Sequence, residues 1–268
     1  MVGGHGAGVM VRGSSSGRRS LAPVHDFPAG RFAVWSTAWL TGRTSYDEAL
    51  DALLGETAHR VVGLPGTTEA VPLGWALTAL RSLGERRFRL VLPVPGDVRG
   101  LPPIPALTTL ALESGQATVG ERLALVPEAA GPEAVEWTAF DLTAAAPVPP
   151  PVEGSLRSVS GELDLAVGDA ARTLAQLDLA RWNPEVPALL AGLAKRTQAP
   201  GLPLDTDPLA LSVLGRAQRL AKVLDLAMAD APGAAVNHAQ AAARDDALRP
   251  LADAVRHAIT AAFNAVPR

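Results

Sequence analysis

The sequence predicts a small mixed α/β domain followed by an all-α antiparallel helical bundle, and three observations carry that prediction. A strand, a Pro-Gly turn and a helix occur twice in succession between residues 59 and 115, the grammar of two βα units of an open parallel sheet. Residues 144–154 read AAAPVPPPVEG, where four prolines in five positions favour extended, semi-rigid backbone. Beyond that stretch every apolar pattern has helical spacing. The expected organisation is a tail at 1–27, an α/β domain at 28–143, a Pro-rich linker at 144–154 and a bundle domain at 155–268.

Met1 to Phe27 is rich in glycine and serine, with Arg12, Arg18 and Arg19 scattered through it. It holds too few apolar groups to offset its ordering entropy and is expected to be disordered. Gly13-Ser14-Ser15-Ser16-Gly17 matches the serine-hydrolase elbow pattern, but that motif requires a strand before it and a helix after it, and neither is predicted. From Gly30 to Leu40 a short helix stacks Phe32, Trp35 and Trp39 on one face, and Gly42 stands where a left-handed cap would end it. Ser45 and Glu48 form a capping box for the next helix, which stops at Gly55. This hairpin presents Asp47, Glu48 and Asp51 to solvent, which would repel phosphate, so core packing is favoured over DNA reading.

His59 to Leu64 reads as a buried strand, Pro65-Gly66 as a type II turn and Glu69 to Leu83 as a helix. Phe88 to Leu92 is the second strand, Pro95-Gly96 its turn, and a helix runs from Pro105 to Gly115. Ala117–Val126 and Ala134–Leu142 read as an antiparallel strand pair. In the second half, a helix carrying Leu163, Val167, Ala170, Leu174 and Leu177 closes at Trp182. Asn183-Pro184-Glu185 opens the next, and Asp207-Pro208 opens a third with Leu211, Leu214, Ala221 and Leu224 inward. The last helix, within Ala241 to Val266, buries Leu248, Leu251, Ala252, Val255, Ile259, Ala262 and Phe263.

Composition removes several function classes. Basic and acidic side chains number 24 and 27, a formal charge of −3, so a broad nucleic-acid surface is not expected. There is no cysteine, which removes disulfides, thiolate metal sites and cysteine nucleophiles. No apolar run approaches a membrane span and no signal-peptide pattern opens the chain, so a cytoplasmic location is the expectation. All but Lys195 and Lys222 of the basic residues are arginine, which reads as the codon bias of a GC-rich genome rather than a demand for guanidinium groups. The five histidines show no metal-site spacing, and neither glycine-bearing turn has phosphate-loop or dinucleotide spacing. No metal or cofactor is therefore expected.

Two candidate sites remain. Ligands of open α/β sheets bind beyond the carboxyl ends of parallel strands, which would bring Thr67, Thr68 and Glu69 of the first turn beside Asp97 and Arg99 of the second. Glu69 or Asp97 would serve as a carboxylate and Arg99 as an anion clamp. The alternative is that Asp97 and Arg99 satisfy each other within their own loop. The second candidate is Arg244 with Asp245, which stand where the apolar stripe of the last helix runs backward by seven. Pro250 makes their burial conditional, because it removes one helical hydrogen bond and crowds the preceding turn. Ordinary ion pairs, Asp245 or Asp246 with Arg249 and Asp253 with Arg256, are the plain alternative. If Arg244 and Asp245 reach the loop of Asp97 and Arg99, they join the two halves.

The stretches RLVLPVPGDVRGLP at Arg89–Pro102 and AARDDALRPLADAVR at Ala242–Arg256, with Asn264 close behind, resemble uncharacterised proteins of high-GC actinobacteria. That resemblance spans most of the chain after the tail and implies no activity, substrate or cofactor. The expectation is therefore a non-enzymatic protein-interaction or regulatory module with an unidentified protein partner. The alternative is a small-ligand binder or hydrolase-type enzyme with its site at the two Pro-Gly turns.

Overall fold

A computed structural model describes residues 27–145, 154–176, 201–229 and 238–265, without the side chains of 174–176, 226–229 and 238–245. The expected tail, the Pro-rich linker and the helix opening at Asn183 fall wholly or mostly outside the described residues. Helix α1 (Pro28–Leu40) ends in a Schellman cap: Gly42 adopts φ 75°, its N–H donates to Trp39 O, and Arg43 N–H donates to Ala38 O at 2.8 Å. These bonds satisfy carbonyls that the helix end leaves over. Helix α2 (Tyr46–Leu54) begins at Ser45, whose hydroxyl accepts Glu48 N–H at 3.2 Å. The Glu48 carboxylate binds the Thr44 hydroxyl at 2.6 Å, so only one arm of the expected capping box is seen.

The sheet has six strands: β1 (Ala58–Val62), β2 (Val71–Pro72), β3 (Arg89–Val91), β4 (Ala117–Val119), β5 (Leu123–Ala129) and β6 (Ala134–Asp141). Their spatial order is β2-β1-β6-β5-β4-β3. Only β1 and β6 are parallel; every other neighbouring pair is antiparallel. The expected pair of adjacent parallel βα units is therefore corrected. Following the pairings across the sheet, β1 and β3 run in opposite directions and are separated by three strands.

Both turns have the expected chemistry. Gly66 and Gly96 hold φ of 82° and 90°, and Thr67 N–H and Asp97 N–H close on Leu64 O and Val94 O at 3.1 and 2.9 Å. Helix α3 (Leu73–Ser82) starts four residues later than expected. Pro72 disfavours helical geometry at the residue before it, and Val71 joins the short β2 instead. Helix α4 (Pro105–Ser114) follows its proline start and ends at left-handed Gly115.

The expected strand at 117–126 is split into β4 and β5 by Glu85. Its carboxylate, in a residue only 3% exposed, accepts the N–H groups of Glu121, Arg122 and Leu123 at 2.9, 2.7 and 2.7 Å. A Cβ on Gly120 would lie 2.6 Å from that carboxylate, so a side chain there would push Glu85 off the three amides. Burial pushes the Glu85 carboxyl up, against the three backbone donors that favour its charged form.

One face of the sheet packs Val61, Leu125 and Trp137 against Phe32, Trp39, Leu53, Leu77 and Leu80 of α1, α2 and α3. On the other face α4 sets Leu107 and Ala111 against Val119 and Val126. The described part of the second half holds α5 (Leu156–Gln176), α6 (Pro208–Ala229) and α7 (His238–Asn264). Helix α7 packs against both α5 and α6. Within it Leu248, Leu251, Val255, Ile259, Ala262 and Phe263 are buried, and Ala252 is half-buried. The stripe passes Pro250 without a shift of phase, because Pro250 lies on the exposed side of a continuous helix. Leu163, Leu214 and Leu224 complete this core. Leu211 is only half-buried, Val213 taking the buried place.

Candidate functional site

The apolar core of the helical part continues into the sheet. Ala29, Leu90 and Leu92 belong to the same buried cluster as Val255, Ile259 and Phe263, and α1 approaches α7 so closely that a Cβ on Gly30 would lie 2.9 Å from the Phe263 ring. At the rim of this contact β3 is the outermost strand, with N–H and C=O groups left over along its free edge. Asn264 supplies what a seventh strand would have supplied there. Leu90 N–H donates to its Oδ1 at 2.7 Å and its Nδ2 donates to Leu90 O at 3.0 Å. Two helical turns earlier, Arg256 Nη1 donates to Leu92 O at 3.2 Å.

The loop after β3 then folds over α7. Asp97 accepts Arg99 Nε at 2.8 Å and Nη2 at 2.9 Å, a bidentate pair, and Arg256 Nη2 at 2.9 Å. Arg99 N–H adds a fourth bond at 3.3 Å. Arg256 also donates to Asp253 at 3.2 Å. The Asp97 and Arg256 side chains are 20% and 17% exposed, whereas that of Arg99 is 70% exposed. One carboxylate thus bridges two guanidinium groups, one in the rim and one in solvent. First Arg99 and then Arg256 hold the Asp97 carboxyl well below the usual carboxylate range, and Asp97 in turn raises Arg99. His257 lies beside them, its Nε2 3.4 Å from Arg99 Nη2. Burial, then the charges of Arg256 and Arg99, push its imidazole below the ordinary histidine value.

Of the residues singled out in the sequence, Asp97 and Arg99 are therefore together, and they satisfy each other as the plainer reading had it. Thr67, Thr68 and Glu69 are not beside them. They follow β1, four strand spacings away from β3, about 19 Å. Thr67 bonds back to Leu64 O through N–H and Oγ1, and Glu69 is exposed. The side chains of Arg244 and Asp245 lie outside the described residues. The last helix does meet the Asp97 loop, but through Arg256 and His257, about three turns further on. The ladder pairs Asp246–Arg249 and Asp253–Arg256 both form. His59 is half-buried and accepts Trp137 Nε1 on its Nδ1 at 3.0 Å. Two further contacts tie the halves: Trp35 Nε1 donates to Gly201 O at 2.7 Å and Arg43 pairs with Asp205 at 2.6 Å. Among the described residues no group of three or more histidine and acidic side chains is placed to hold a metal ion, and no helix is long and apolar enough to cross a membrane.

Sequence reasoning missed Arg256, His257 and Asn264 as members of one rim. The available signal was the pair of stretches 89–102 and 242–256 with Asn264, which prove to be the two sides of this contact.

The chain belongs to the family described as Rv1486c-like protein: residues 29–153 match its N-terminal domain and 157–260 its C-terminal domain. The uncharacterized protein Rv1486c of Mycobacterium tuberculosis strain H37Rv is 28% identical over 281 residues, covering 89% of this chain and 96% of that protein. The uncharacterized protein ML1804 of Mycobacterium leprae is 25% identical, covering 89% and 97%. The uncharacterized protein MAV321 of Mycobacterium avium is 30% identical over 57% of this chain and 62% of its own length. No solved structure matches.

Proposed function

We propose that this member of the Rv1486c-like family is a cytoplasmic, non-enzymatic protein-interaction or regulatory module. An α/β domain at 28–143 and an antiparallel bundle domain at 155–268 form one body, and the partner docks at the rim between them. The single observation behind this reading is the saturation of Asp97, whose carboxylate takes four N–H donors from Arg99 and Arg256. A carboxylate held so far below its usual range is a poor general base near neutral pH. It is well suited to hold a loop still. On that loop Val98 is 40% exposed and Arg99 70% at the side chain, an apolar group next to a pre-oriented guanidinium, and arginine is enriched at the centres of protein interfaces.

The test uses the full chain as bait in its native host. A partner recovered by the parent protein and lost with Arg99→Ala or Val98→Ser supports docking at the rim. Recovery unchanged by both substitutions refutes it. Turnover of common ester, phosphate or glycoside substrates that disappears in Asp97→Ala would replace the reading with an enzymatic one.

A further inference from the structure

We propose that Arg99, Arg256 and His257 form a site for a dianionic oxyanion group, phosphate-like or sulfate-like, carried by the docking partner, and that the group and a proton on His257 bind together. The proposal rests on the rim reading above and specifies the chemistry that the rim recognises.

Two observations lead to it. The first is that the Arg99 guanidinium is exposed and yet held in place. Asp97 engages its side-on edge, Nε and Nη2, so the end-on edge made by Nη1 and the second Nη2 proton is presented in a fixed direction. Nη2 lies 3.4 Å from His257 Nε2. Ordering a long arginine in advance lowers the entropy cost of binding, and the planar fork matches a tetrahedral oxyanion through two parallel bonds.

The second is the balance of charge. Arg99 and Arg256 face Asp97 and Asp253, two against two, and among the described residues these four are the charged groups acting on His257 from its own helix and from the loop across it. With neutral imidazole the cluster is balanced and has little call for an anion. Protonated His257 adds one positive charge beside two guanidinium groups, and the two arginines already oppose that proton more than the two aspartates favour it. An arriving dianion removes the opposition, so each event favours the other by linkage.

Sulfate is the probe, because its charge is constant across the range in which histidine titrates. The His257 ring resonances of the full chain, assigned with His257→Gln, are followed by NMR from pH 5 to 8 in chloride and in sulfate at equal ionic strength. The proposal expects sulfate to raise the His257 pKa by about 1 unit, as a close opposite charge does, and expects that rise to vanish in Arg99→Ala. Because Arg99 is exposed, this variant should retain the parent amide spectrum. Equal titrations in sulfate and chloride overturn the proposal, as does a sulfate effect that survives Arg99→Ala. If the partner carries the group, sulfate should also compete with Arg99-dependent capture, whereas capture unaffected by saturating sulfate would reassign the site to a free ion. Loss of the NMR effect with capture still dependent on Arg99 sinks this proposal alone, and capture indifferent to Arg99 sinks the docking reading.

Discussion

Replacing Asp97 by alanine removes the carboxylate that pairs the β3 loop with Arg256 of α7, and the structure sets the size of the effect. An exposed ion pair contributes up to about 1 kcal/mol, whereas stripping one partner from a buried pair costs about 3–5 kcal/mol. Asp97 and Arg256 are 20% and 17% exposed, between those limits. Arg256 would keep Asp253 and Leu92 O, which softens the loss. We expect about 2 kcal/mol for Asp97→Ala and less than about 0.5 kcal/mol for Arg99→Ala, whose side chain lies in water. Urea unfolding of the full chain at pH 7 measures both. The pH dependence gives a second check. A carboxyl depressed in the folded state contributes stability that is fully present above its unfolded value, near 3.9, and is lost as pH falls through the lower folded value. The part of the difference between parent and Asp97→Ala that comes from this carboxyl should therefore shrink below about pH 4. Equal small losses in Asp97→Ala and Arg99→Ala would refute the argument, since they would make the whole cluster surface decoration.

The remaining predictions follow from contacts of the same kind. Glu85→Gln sets an amide donor against backbone donors that faced a carboxylate, costing about 2 kcal/mol in urea unfolding. Because the Glu85 carboxyl is raised, its pH-linked contribution is fully present below about 4.5 and declines as pH rises through the folded value, a slope that Glu85→Gln should lack. Asn264→Ala removes both bonds to Leu90 and should cost about 1–2 kcal/mol, read most directly as faster hydrogen exchange of the Leu90 amide. Gly30→Ala gains up to about 1 kcal/mol of helix propensity but drives a methyl group into the Phe263 ring, a cost of about 1–3 kcal/mol, so thermal unfolding should fall to lower temperature. His257 is depressed in the folded state, so the unfolded chain binds its proton first. Stability should decline as pH falls below about 6.5, and His257→Gln should remove that part of the decline.

Much of the local structure was legible in the sequence because its causes are local. Gly42 and Gly115 end their helices at positive φ, Ser45 caps α2, and the two Pro-Gly turns close with the expected bonds. The aromatic face of α1 is buried as its spacing requires, Phe32 meeting Trp137 and Phe88 at 5.1 and 5.4 Å between ring centres. Strand direction was not legible, because a turn fixes only its own four residues, whereas β1 is aligned by Ala134–Thr138 of β6, more than seventy positions away. Two turns of the same chemistry thus look like neighbours in the sequence although they follow strands that stand four spacings apart. The split of β4 from β5 was hidden for a related reason: the bend is held by Glu85, whose role depends on amides some thirty-six residues downstream.

The charged residue that matters on the last helix also sits where periodicity gives an ambiguous answer. Arg256 is next to buried Val255 and two residues before buried Ala258, on the border between the apolar stripe and water. In sequence it has a sufficient partner in Asp253 at i−3, and that pair does form. A border arginine, however, can lay its stem along apolar surface and send its head group across a seam, and here Asp97 and Leu92 O lie across it. In the sequence Arg244 and Asp245 stand out because they break a stripe, whereas Arg256 breaks nothing. Its importance follows from β3 being an edge strand, which must be covered, and α7 covers it through Asn264 and Arg256 together. An edge that needs a cover and a helix with two polar groups on that border amount to one constraint. The two halves are therefore expected to unfold as a single unit, and Asp97→Ala to lower their joint transition rather than divide it in two.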